Sequence, residues 1–332
     1  MKYNTHELKE KLKTVRTAID KSPVAAAECA YLGHGKLIGW SESVCISVDL
    51  ESTEPILIPQ KAMAVIEKSS AAEIDISTNN DMLIVKGGRS TTRFAFVSPD
   101  EFPKIDNDSG KKEYPLPDDF VDSVKSVAYA TSKNDDKPVM KGVKIGDEIA
   151  ACDGVRIAIC HTKCPIETVL PQNAIKSLGM LNGETTISET NKNIIFSCGD
   201  MKIYAKKIYG EFFDYTQILT DYENHATIDS AVLSDKLDIM SAVVDDVYPA
   251  KLHFEGDSLI LSAKGGTADF VDEIEIGGEH DDMIIGVNQR YLREAVKNMS
   301  GNVDITFGGE TKPIIIKNDR TTTVVMPVRL RD

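Results

Sequence analysis

Few groups of residues in this chain have a spacing that could support catalysis. Gly33-His34-Gly35-Lys36 combines glycines with a lysine, but the spacing is not that of a loop that wraps backbone N–H groups around a phosphate. The motifs G-x-S-x-G and H-E-x-x-H are absent, and the six histidines are scattered along the sequence. The sequence therefore gives no positive indication of an enzyme, and we expect a protein without catalytic activity of its own.

Metal-binding patterns are equally sparse. Cys160-His161-Thr162-Lys163-Cys164 holds residue types that zinc prefers, but no second pair of ligands accompanies this segment. Most other cysteines lie in β-like apolar segments, where a reduced thiol acts as a small hydrophobic side chain. Acidic pairs such as Asp245-Asp246 and Asp281-Asp282 fall at helix ends or in polar loops, which favours a solvated surface. We expect no metal and no cofactor.

Composition limits the protein class. The 332 residues include 52 acidic and 38 basic side chains, a net charge of −14, which argues against a uniformly basic nucleic-acid-binding surface. It does not exclude basic residues gathered on one face. No apolar run approaches the ~20 residues of a membrane span. The N-terminal MKYNTHELKEKLKTVRTAID is typical of a charged amphipathic helix rather than a signal peptide, so we expect a cytoplasmic protein.

A repeat predicts the fold. Three segments share a short strand, an amphipathic helix and three β-like runs, with anchors at Pro59, Pro171 and Val287 that are 112 and 116 residues apart. Each repeat is itself double, because six candidate helices begin near residues 6, 59, 117, 171, 233 and 289. We predict an α+β protein with helices on one face of antiparallel sheets. Its three similar domains would cover residues 1–112, 113–221 and 222–332.

The predicted helices are amphipathic at 3.6-residue spacing, as in the stripe Leu8, Leu12 and Val15. Pro59 and Pro171 suit the first turn of a helix, and Asn288 suits an N-cap. The faces turned away from the sheets carry lysines and arginines, whereas acidic residues concentrate in loops and strands. Charge segregated in this way would let one side of the protein attract DNA while another side repels it.

Five motifs carry a family resemblance. They are Gly88-Arg89-Ser90 with Phe102-Pro103; Ala151-Cys152-Asp153-Gly154-Val155-Arg156-Ile157-Ala158; Phe212-Phe213-Asp214-Tyr215; Asn288-Gln289-Arg290-Tyr291-Leu292; and Val324-Val325-Met326-Pro327-Val328-Arg329-Leu330. Over essentially the full length, the chain resembles the bacterial sliding clamp family, the β subunit of DNA polymerase III. The last four motifs resemble its A-T-D-G-H-R-L-A, F-P-D-Y, N-x-x-Y-L and M-P-[MV]-R-L. Val155, Phe213 and Gln217 depart from a usual histidine, a usual proline and a frequent arginine.

The resemblance implies a polymerase processivity factor. Two chains would form a head-to-tail ring around duplex DNA, without sequence specificity. Because a ring is retained topologically, its helices need only weak, salt-screened contacts to phosphates. The dimer seam is expected around Phe102 and Ile105 of one chain and the strand from Phe270 to Ile274 of the other. The candidate DNA-facing residues are Lys9, Lys13, Arg16, Lys61, Lys68, Lys125, Lys176, Lys236, Arg290 and Lys297.

The resemblance also implies a partner-peptide pocket between the second and third domains. There the replicative polymerase, the clamp loader and other clients would dock a short peptide. Methionine and branched side chains make an adaptable socket. Arg156 and Arg329 are expected at the rim, whereas Ile157, Val324 and Met326 could instead be ordinary core residues. The matching positions are Met140, Cys152, Gly154, Val155, Arg156, Ile157, Phe213, Ile218, Asn288, Tyr291, Val324, Met326, Pro327, Val328 and Arg329.

Two other function classes stay open from the residues alone. One is a duplicated-domain α+β scaffold that binds proteins and has no role on DNA. The other is a nucleic-acid-processing enzyme that uses scattered carboxylates. A clamp would be a dimer that stays on circular DNA and slides off once the DNA is cut, whereas an enzyme would show metal-dependent turnover.

Overall fold

The computed structural model describes residues 1–79, 81–105, 112–133 and 137–330. Within these ranges the chain forms six α-helices and 25 β-strands, and every strand pairing recorded is antiparallel. The helices are α1 (Thr5–Arg16), α2 (Gln60–Lys68), α3 (Phe120–Val127), α4 (Gln172–Leu178), α5 (Ser230–Val243) and α6 (Gln289–Val296).

The strands up to residue 171 are β1 (Lys2–Asn4), β2 (Cys29–Gly33), β3 (Lys36–Trp40), β4 (Val44–Asp49), β5 (Ile56–Pro59), β6 (Glu73–Asn79), β7 (Met82–Gly87), β8 (Ser90–Ala95), β9 (Tyr114–Pro115), β10 (Gly142–Ile145), β11 (Ile149–Cys152), β12 (Arg156–Cys160) and β13 (Thr168–Pro171). The remaining strands are β14 (Thr186–Glu189), β15 (Asn193–Cys198), β16 (Met201–Lys206), β17 (Asn224–Asp229), β18 (Pro249–Glu255), β19 (Ser258–Lys264), β20 (Asp269–Glu275), β21 (Gly277–Glu279), β22 (Met283–Asn288), β23 (Asn302–Phe307), β24 (Ile314–Lys317) and β25 (Thr321–Val325).

The six helices begin within three residues of the predicted positions. A polar N-cap side chain marks the starts of α1, α5 and α6. Asn288 is the N-cap of α6, as predicted, and its Oδ1 accepts a hydrogen bond from the Tyr291 N–H at 3.2 Å. Pro59 and Pro171 are not in a first helical turn. Each is the last residue of a strand and the extended cap before α2 or α4, so the helix begins one residue later.

The first compact unit comprises Met1–Val121 and Leu170–Ile208 and contains two sheets. A four-stranded sheet has the order β1-β6-β7-β8, and an eight-stranded sheet has the order β5-β2-β3-β4-β16-β15-β14-β9. Helix α1 packs its buried stripe of Leu8, Leu12 and Val15 against β3 and β4. The amphipathic pattern in the sequence therefore identifies the face that the helix commits to the sheet.

The second compact unit comprises the described residues of Asp122–Val169 and Tyr209–Asp332. Its two sheets have the orders β13-β10-β11-β12-β25-β24-β23-β17-β21 and β20-β19-β18-β22. Helices α5 and α6 pack against each other. Phe254 and Phe307 lie in the same core, with ring centroids 4.1 Å apart. This unit holds most of the residues that the sequence motifs single out.

The predicted α+β class with antiparallel sheets is confirmed. The three-domain division stays a prediction. The first predicted boundary, at residue 112, directly follows residues 106–111, which lie outside the described ranges. Both large sheets combine strands from neighbouring predicted domains, through the pairs Ile46–Ile203 and Ile157–Val324. Among the described residues, no helix combines the length and apolarity needed to cross a membrane.

Candidate functional site

An apolar cavity of about 280 Å³, here called the pocket, opens beside β12 and β25 in the second unit. Its lining includes ten of the fifteen positions that the family resemblance assigns to a peptide site, and one lysine that the sequence did not indicate. The lining residues are Lys137, Met140, Cys152, Gly154, Val155, Arg156, Ile157, Phe213, Ile218, Val324 and Met326. The structure brings these ten predicted residues together, and their role in binding stays a prediction.

Paired strands form the floor of the pocket. Ile157 on β12 lies opposite Val324 on β25, and both side chains are buried. Ile157 and Val324 belong both to the core and to the pocket lining. The prediction that they line a pocket and the alternative that they are core residues are therefore compatible. Met326 continues the strand pairing, because its N–H donates to the Val155 carbonyl at 2.9 Å. Met326 is not an ordinary core residue, since its side chain is 38% exposed at the mouth of the pocket.

A tight turn places Val155 at the mouth of the pocket. Asp153 Oδ1 accepts hydrogen bonds from the N–H groups of Val155 and Arg156, at 3.1 and 3.0 Å. Gly154 has a φ of 91°, a backbone conformation that favours glycine. The turn therefore directs the exposed Val155 side chain outward where β12 begins.

A second loop brings Phe213 to the opposite wall. The buried Tyr215 side chain anchors this loop, because its hydroxyl donates to Glu148 Oε2 at 2.9 Å. Burial, followed by the hydrogen bond to Glu148 and the negative charges nearby, raises the pKa of Tyr215 above its ordinary value. Asp214 accepts hydrogen bonds from the side chain and N–H of Thr216, which lower the pKa of the Asp214 carboxyl. These contacts hold the loop while Phe213 stays 42% exposed.

The prediction that Arg156 lies at an exposed rim is wrong. The side chain is only 6% exposed, and its guanidinium is bonded to Asp153, Glu294 and the Tyr129 carbonyl. It also lies against the ring of Tyr291, 4.4 Å from the centroid. Arg156 therefore forms part of the pocket wall, with its charge already paired inside the protein.

Five predicted positions are outside the lining, beside β22 and α6. Asn288 caps α6, and Tyr291 stacks on the Arg156 guanidinium. Pro327 forms a bridge with Val287, and the Val328 N–H donates to the Gly286 carbonyl at 2.8 Å. Arg329 is exposed, as predicted for a rim residue. Pro327 and Val328 thus hold the C-terminal segment along β22, whereas Asn288 and Tyr291 lie at the start of α6.

Lys137 is the lining residue that sequence reasoning missed. It is an exposed lysine immediately before the 3-10 helical turn Pro138–Lys141. A single lysine in a polar segment has no pattern that sets it apart from other surface lysines. Only the fold shows that Lys137 lies in the pocket lining.

The ten candidate DNA-facing residues all lie on helices or at a helix cap. Eight are exposed, whereas Lys9 and Lys236 are half-buried. Some are already engaged within the chain: Arg16 pairs with Glu67 at 2.7 Å, and Lys236 pairs with Asp272 at 2.9 Å. Lys9 Nζ donates to the Ser69 carbonyl at 2.6 Å. Most of these side chains are therefore accessible to solvent, and their contact with DNA stays a prediction.

The side chains chosen for the dimer seam are turned into the protein. Phe102, Phe270 and Ile274 are buried, and Ile105 packs half-buried against the cluster around Phe102. The alternation of side chains along a strand explains this finding, since Phe270 and Ile274 share the core face of β20. The outward face of that edge strand carries Val271, which is 71% exposed. A seam at β20 would therefore present Val271 to the partner chain, and the seam itself stays a prediction.

Within the described ranges, no group of three or more histidine, cysteine, aspartate or glutamate side chains is placed to hold a metal ion. All six cysteines are free thiols. His161, in the segment with zinc-type residues, instead contacts Glu148 and Thr322, each at 3.1 Å. We therefore take the apolar pocket as the candidate functional site.

Comparison with known proteins agrees with the motifs. Residues 217–329 match the family "DNA polymerase III beta subunit, C-terminal domain". The beta sliding clamp of Pseudomonas putida is 23% identical over 309 residues, which is 84% of each chain. That of Escherichia coli K12 is 22% identical over 283 residues, 78% of this chain and 77% of the relative.

Solved structures share the fold along nearly the whole chain. The DNA polymerase III beta subunit of Thermotoga maritima superposes with a TM-score of 0.88 at 18% identity. The sliding clamp of Bacillus subtilis gives 0.89 at 16% identity, and both alignments cover 99% of each chain. The predicted resemblance is confirmed: residues 217–329 match the family model of the C-terminal domain of the DNA polymerase III beta subunit, and the whole chain has the fold of the bacterial beta sliding clamps.

Proposed function

We propose that the chain is a DNA polymerase processivity factor of the bacterial replication machinery, active in the cytoplasm. Two copies would form a sliding clamp that encircles duplex DNA and tethers the replicative polymerase and other clients through the pocket. One observation carries the proposal: in a chain with the sliding clamp fold along 99% of its length, three of the five clamp-like motifs contribute residues to the lining of one apolar pocket. The protein would have no catalytic activity of its own.

The charge distribution suits a ring that slides. The chain has a net charge of −14, yet each of the six helices, or its cap, carries at least one of the ten basic candidates. Weak and salt-screened contacts to phosphates would centre the DNA without reading its sequence. Strong binding is unnecessary when a closed ring prevents dissociation, and it would slow sliding.

Two unlike sheet edges support a head-to-tail dimer. Strand β8 is at one edge of its four-stranded sheet, has no buried side chain and carries the exposed Arg93, with Arg89 just before it. Strand β20 is at the edge of the other four-stranded sheet and carries Asp269, Glu273 and Glu275 on its exposed positions. Exposed edges readily pair with another chain, and opposite charges favour this pairing over self-pairing of either edge. Two such contacts would close a ring of two copies.

The pocket suits a short extended peptide. Its lining is mainly apolar, and a volume of about 280 Å³ admits a few side chains rather than a folded domain. Half-exposed Val155, Phe213 and Met326 at the mouth would lose solvent contact on binding. The gain from burying apolar surface would supply most of the affinity, and several clients with apolar side chains could use one site.

Retention on circular DNA tests the proposal. The protein is loaded onto nicked circular DNA by the clamp loader of its host, and the mixture is separated by gel filtration. We expect the protein to elute with the circle and to be released when a restriction enzyme linearises the DNA. DNA that is linear from the start serves as the control. Equal retention on both forms, or none on the circle, contradicts encirclement, and peptide binding without any retention favours the scaffold alternative.

A further inference from the structure

The Arg156 guanidinium, which forms part of the pocket wall, is held from several sides. Nε donates to Asp153 Oδ2 at 2.8 Å, one terminal nitrogen donates to the Tyr129 carbonyl at 2.6 Å, and the other donates to Glu294 Oε2. The rings of Tyr291 and Tyr129 lie 4.4 and 5.2 Å from the guanidinium carbon. Contact with aromatic rings, combined with hydrogen bonds to three different acceptors, fixes the orientation of a guanidinium more strongly than a single ion pair would.

The carboxylates of Asp153 and Glu294 have different structural roles. Asp153 lies in the same turn as Arg156, and its second oxygen accepts the N–H groups that shape that turn. Glu294 comes from α6, 138 residues away in the sequence, and is not part of the pocket lining. Glu294 therefore connects the start of β12 to a helix from a distant part of the chain. Two pocket residues are next to this connection, Val155 just before β12 and Ile157 on it.

Burial makes this tie important. Burial disfavours the charged guanidinium, but the hydrogen bond to Glu294 and the charges of Asp153 and Glu294 outweigh that effect and raise the pKa of Arg156 above its ordinary value. A buried charge that loses one partner must find another partner or move toward water. Either movement would displace the wall, because the Arg156 side chain itself lines the pocket.

We propose that Glu294 is a positioning residue of the pocket, which acts by holding Arg156 in the wall against Tyr291. The inference rests on the proposed peptide-binding function and extends it to a residue outside the lining. The same contacts define the chemistry of the pocket wall. The Arg156 guanidinium is already paired with the carboxylates of Asp153 and Glu294, so its charge is not available to a peptide. The wall therefore favours apolar side chains of the peptide over a carboxylate.

Binding of a labelled peptide tests this role. The probe is a fluorescent peptide with the clamp-binding segment of a bacterial replicative DNA polymerase, and fluorescence anisotropy gives its Kd. For Glu294→Gln, which keeps the shape but loses the charge, we expect Kd to rise about tenfold. Glu294→Asp, which keeps the charge, should recover most of the affinity. Glu310→Gln removes an exposed glutamate of the same unit and should bind like the wild type.

A double-mutant cycle separates positioning from general destabilisation. Arg156→Leu should also weaken binding, and Arg156→Leu combined with Glu294→Gln should bind no more weakly than Arg156→Leu alone, because Glu294 acts through Arg156. Additive losses, or wild-type affinity in Glu294→Gln, overturn the proposal. If the wild-type protein does not bind the peptide at all, the proposed function fails and this inference fails with it. Thermal melting of each variant shows whether a weak binder is still folded.

Discussion

At the scale of single residues, Gly286 on β22 governs how the C-terminal segment lies. A Cβ atom at this position would be 2.5 Å from the Val328 carbonyl oxygen and 2.8 Å from Leu330 Cγ. The same segment is held by the hydrogen bond from the Val328 N–H to the Gly286 carbonyl. The segment can therefore follow β22 only while residue 286 has no side chain.

Replacing Gly286 with alanine should displace residues 327–330 without unfolding the second unit. We expect faster hydrogen exchange at the Val328 amide, about 1 kcal/mol less stability from the lost hydrogen bond, and weaker peptide binding, because Met326 is next to the displaced segment. Hydrogen exchange read by mass spectrometry and anisotropy measure the two effects. Gly277→Ala is the matched control, since a Cβ there meets no atom within 4 Å. Equal exchange at Val328 in both variants would show that the segment tolerates the added methyl group.

Sequence reasoning succeeded for residues whose surroundings are local. Asn288 was predicted as an N-cap because a cap needs only its own helix, and the structure confirms it. Arg156 was placed at an exposed rim because no local pattern shows that Tyr129 and Glu294, 27 and 138 residues away, fold around its guanidinium. Long-range ion pairs of this kind are visible only when the tertiary structure is known.

At the scale of elements, an ion pair joins α5 to the edge strand β20. Lys236 Nζ lies 2.9 Å from Asp272 Oδ2. The hydrogen bond from Lys236 lowers the pKa of Asp272 below 3.8, and the hydrogen bond to Asp272 raises the pKa of Lys236 above 10.5. The pair is accessible to solvent, so its contribution to stability is small and screened by salt.

The pH dependence of unfolding should reveal this pair. The stabilisation through Asp272 is present above pH 3.8 and is lost as the pH falls through the lowered pKa. The stabilisation through Lys236 is present below pH 10.5 and is lost as the pH rises through the raised pKa. Asp272→Asn should therefore slightly lower the urea concentration at the midpoint of unfolding at neutral pH. In this variant, stability should also fall less steeply toward acidic and toward alkaline pH than in the wild type. Asp269→Asn, on the same strand, is the control, and identical limbs in Asp272→Asn and the wild type would refute the assignment.

Elements themselves were predictable where the signal is periodic. The six helix starts follow from the repeated pattern of the sequence, and the buried stripe of α1, Leu8, Leu12 and Val15, is the one that the spacing predicts. The pairing of β4 with β16 and of β12 with β25 was not predictable, because strand alternation fixes which face is buried but not which distant strand is the neighbour. The burial of Phe270 and Ile274 within the chain was not predictable for a similar reason: apolar strand residues mark a core face as readily as a contact between chains.

At the scale of the whole molecule, the exposed Val271 offers a test of the proposed dimer. Val271→Lys places a positive charge on the edge strand that would face the basic edge carrying Arg89 and Arg93. We expect the variant to run as a monomer in size-exclusion chromatography with light scattering, while the wild type runs as a dimer. Tyr209→Lys, at another exposed apolar position, should leave the dimer intact. A dimeric Val271→Lys protein would place the seam elsewhere.

The continuity of the two large sheets has a consequence for how duplex DNA would enter the proposed ring. Five residue pairs join β4 to β16, and five join β12 to β25, so neither joint can part without breaking a ladder of main-chain hydrogen bonds. We expect the β4–β16 and β12–β25 pairings to stay intact when a clamp loader opens the ring. The gate would then lie where β8 of one copy meets β20 of the other, since that contact can separate and re-form with both chains still folded.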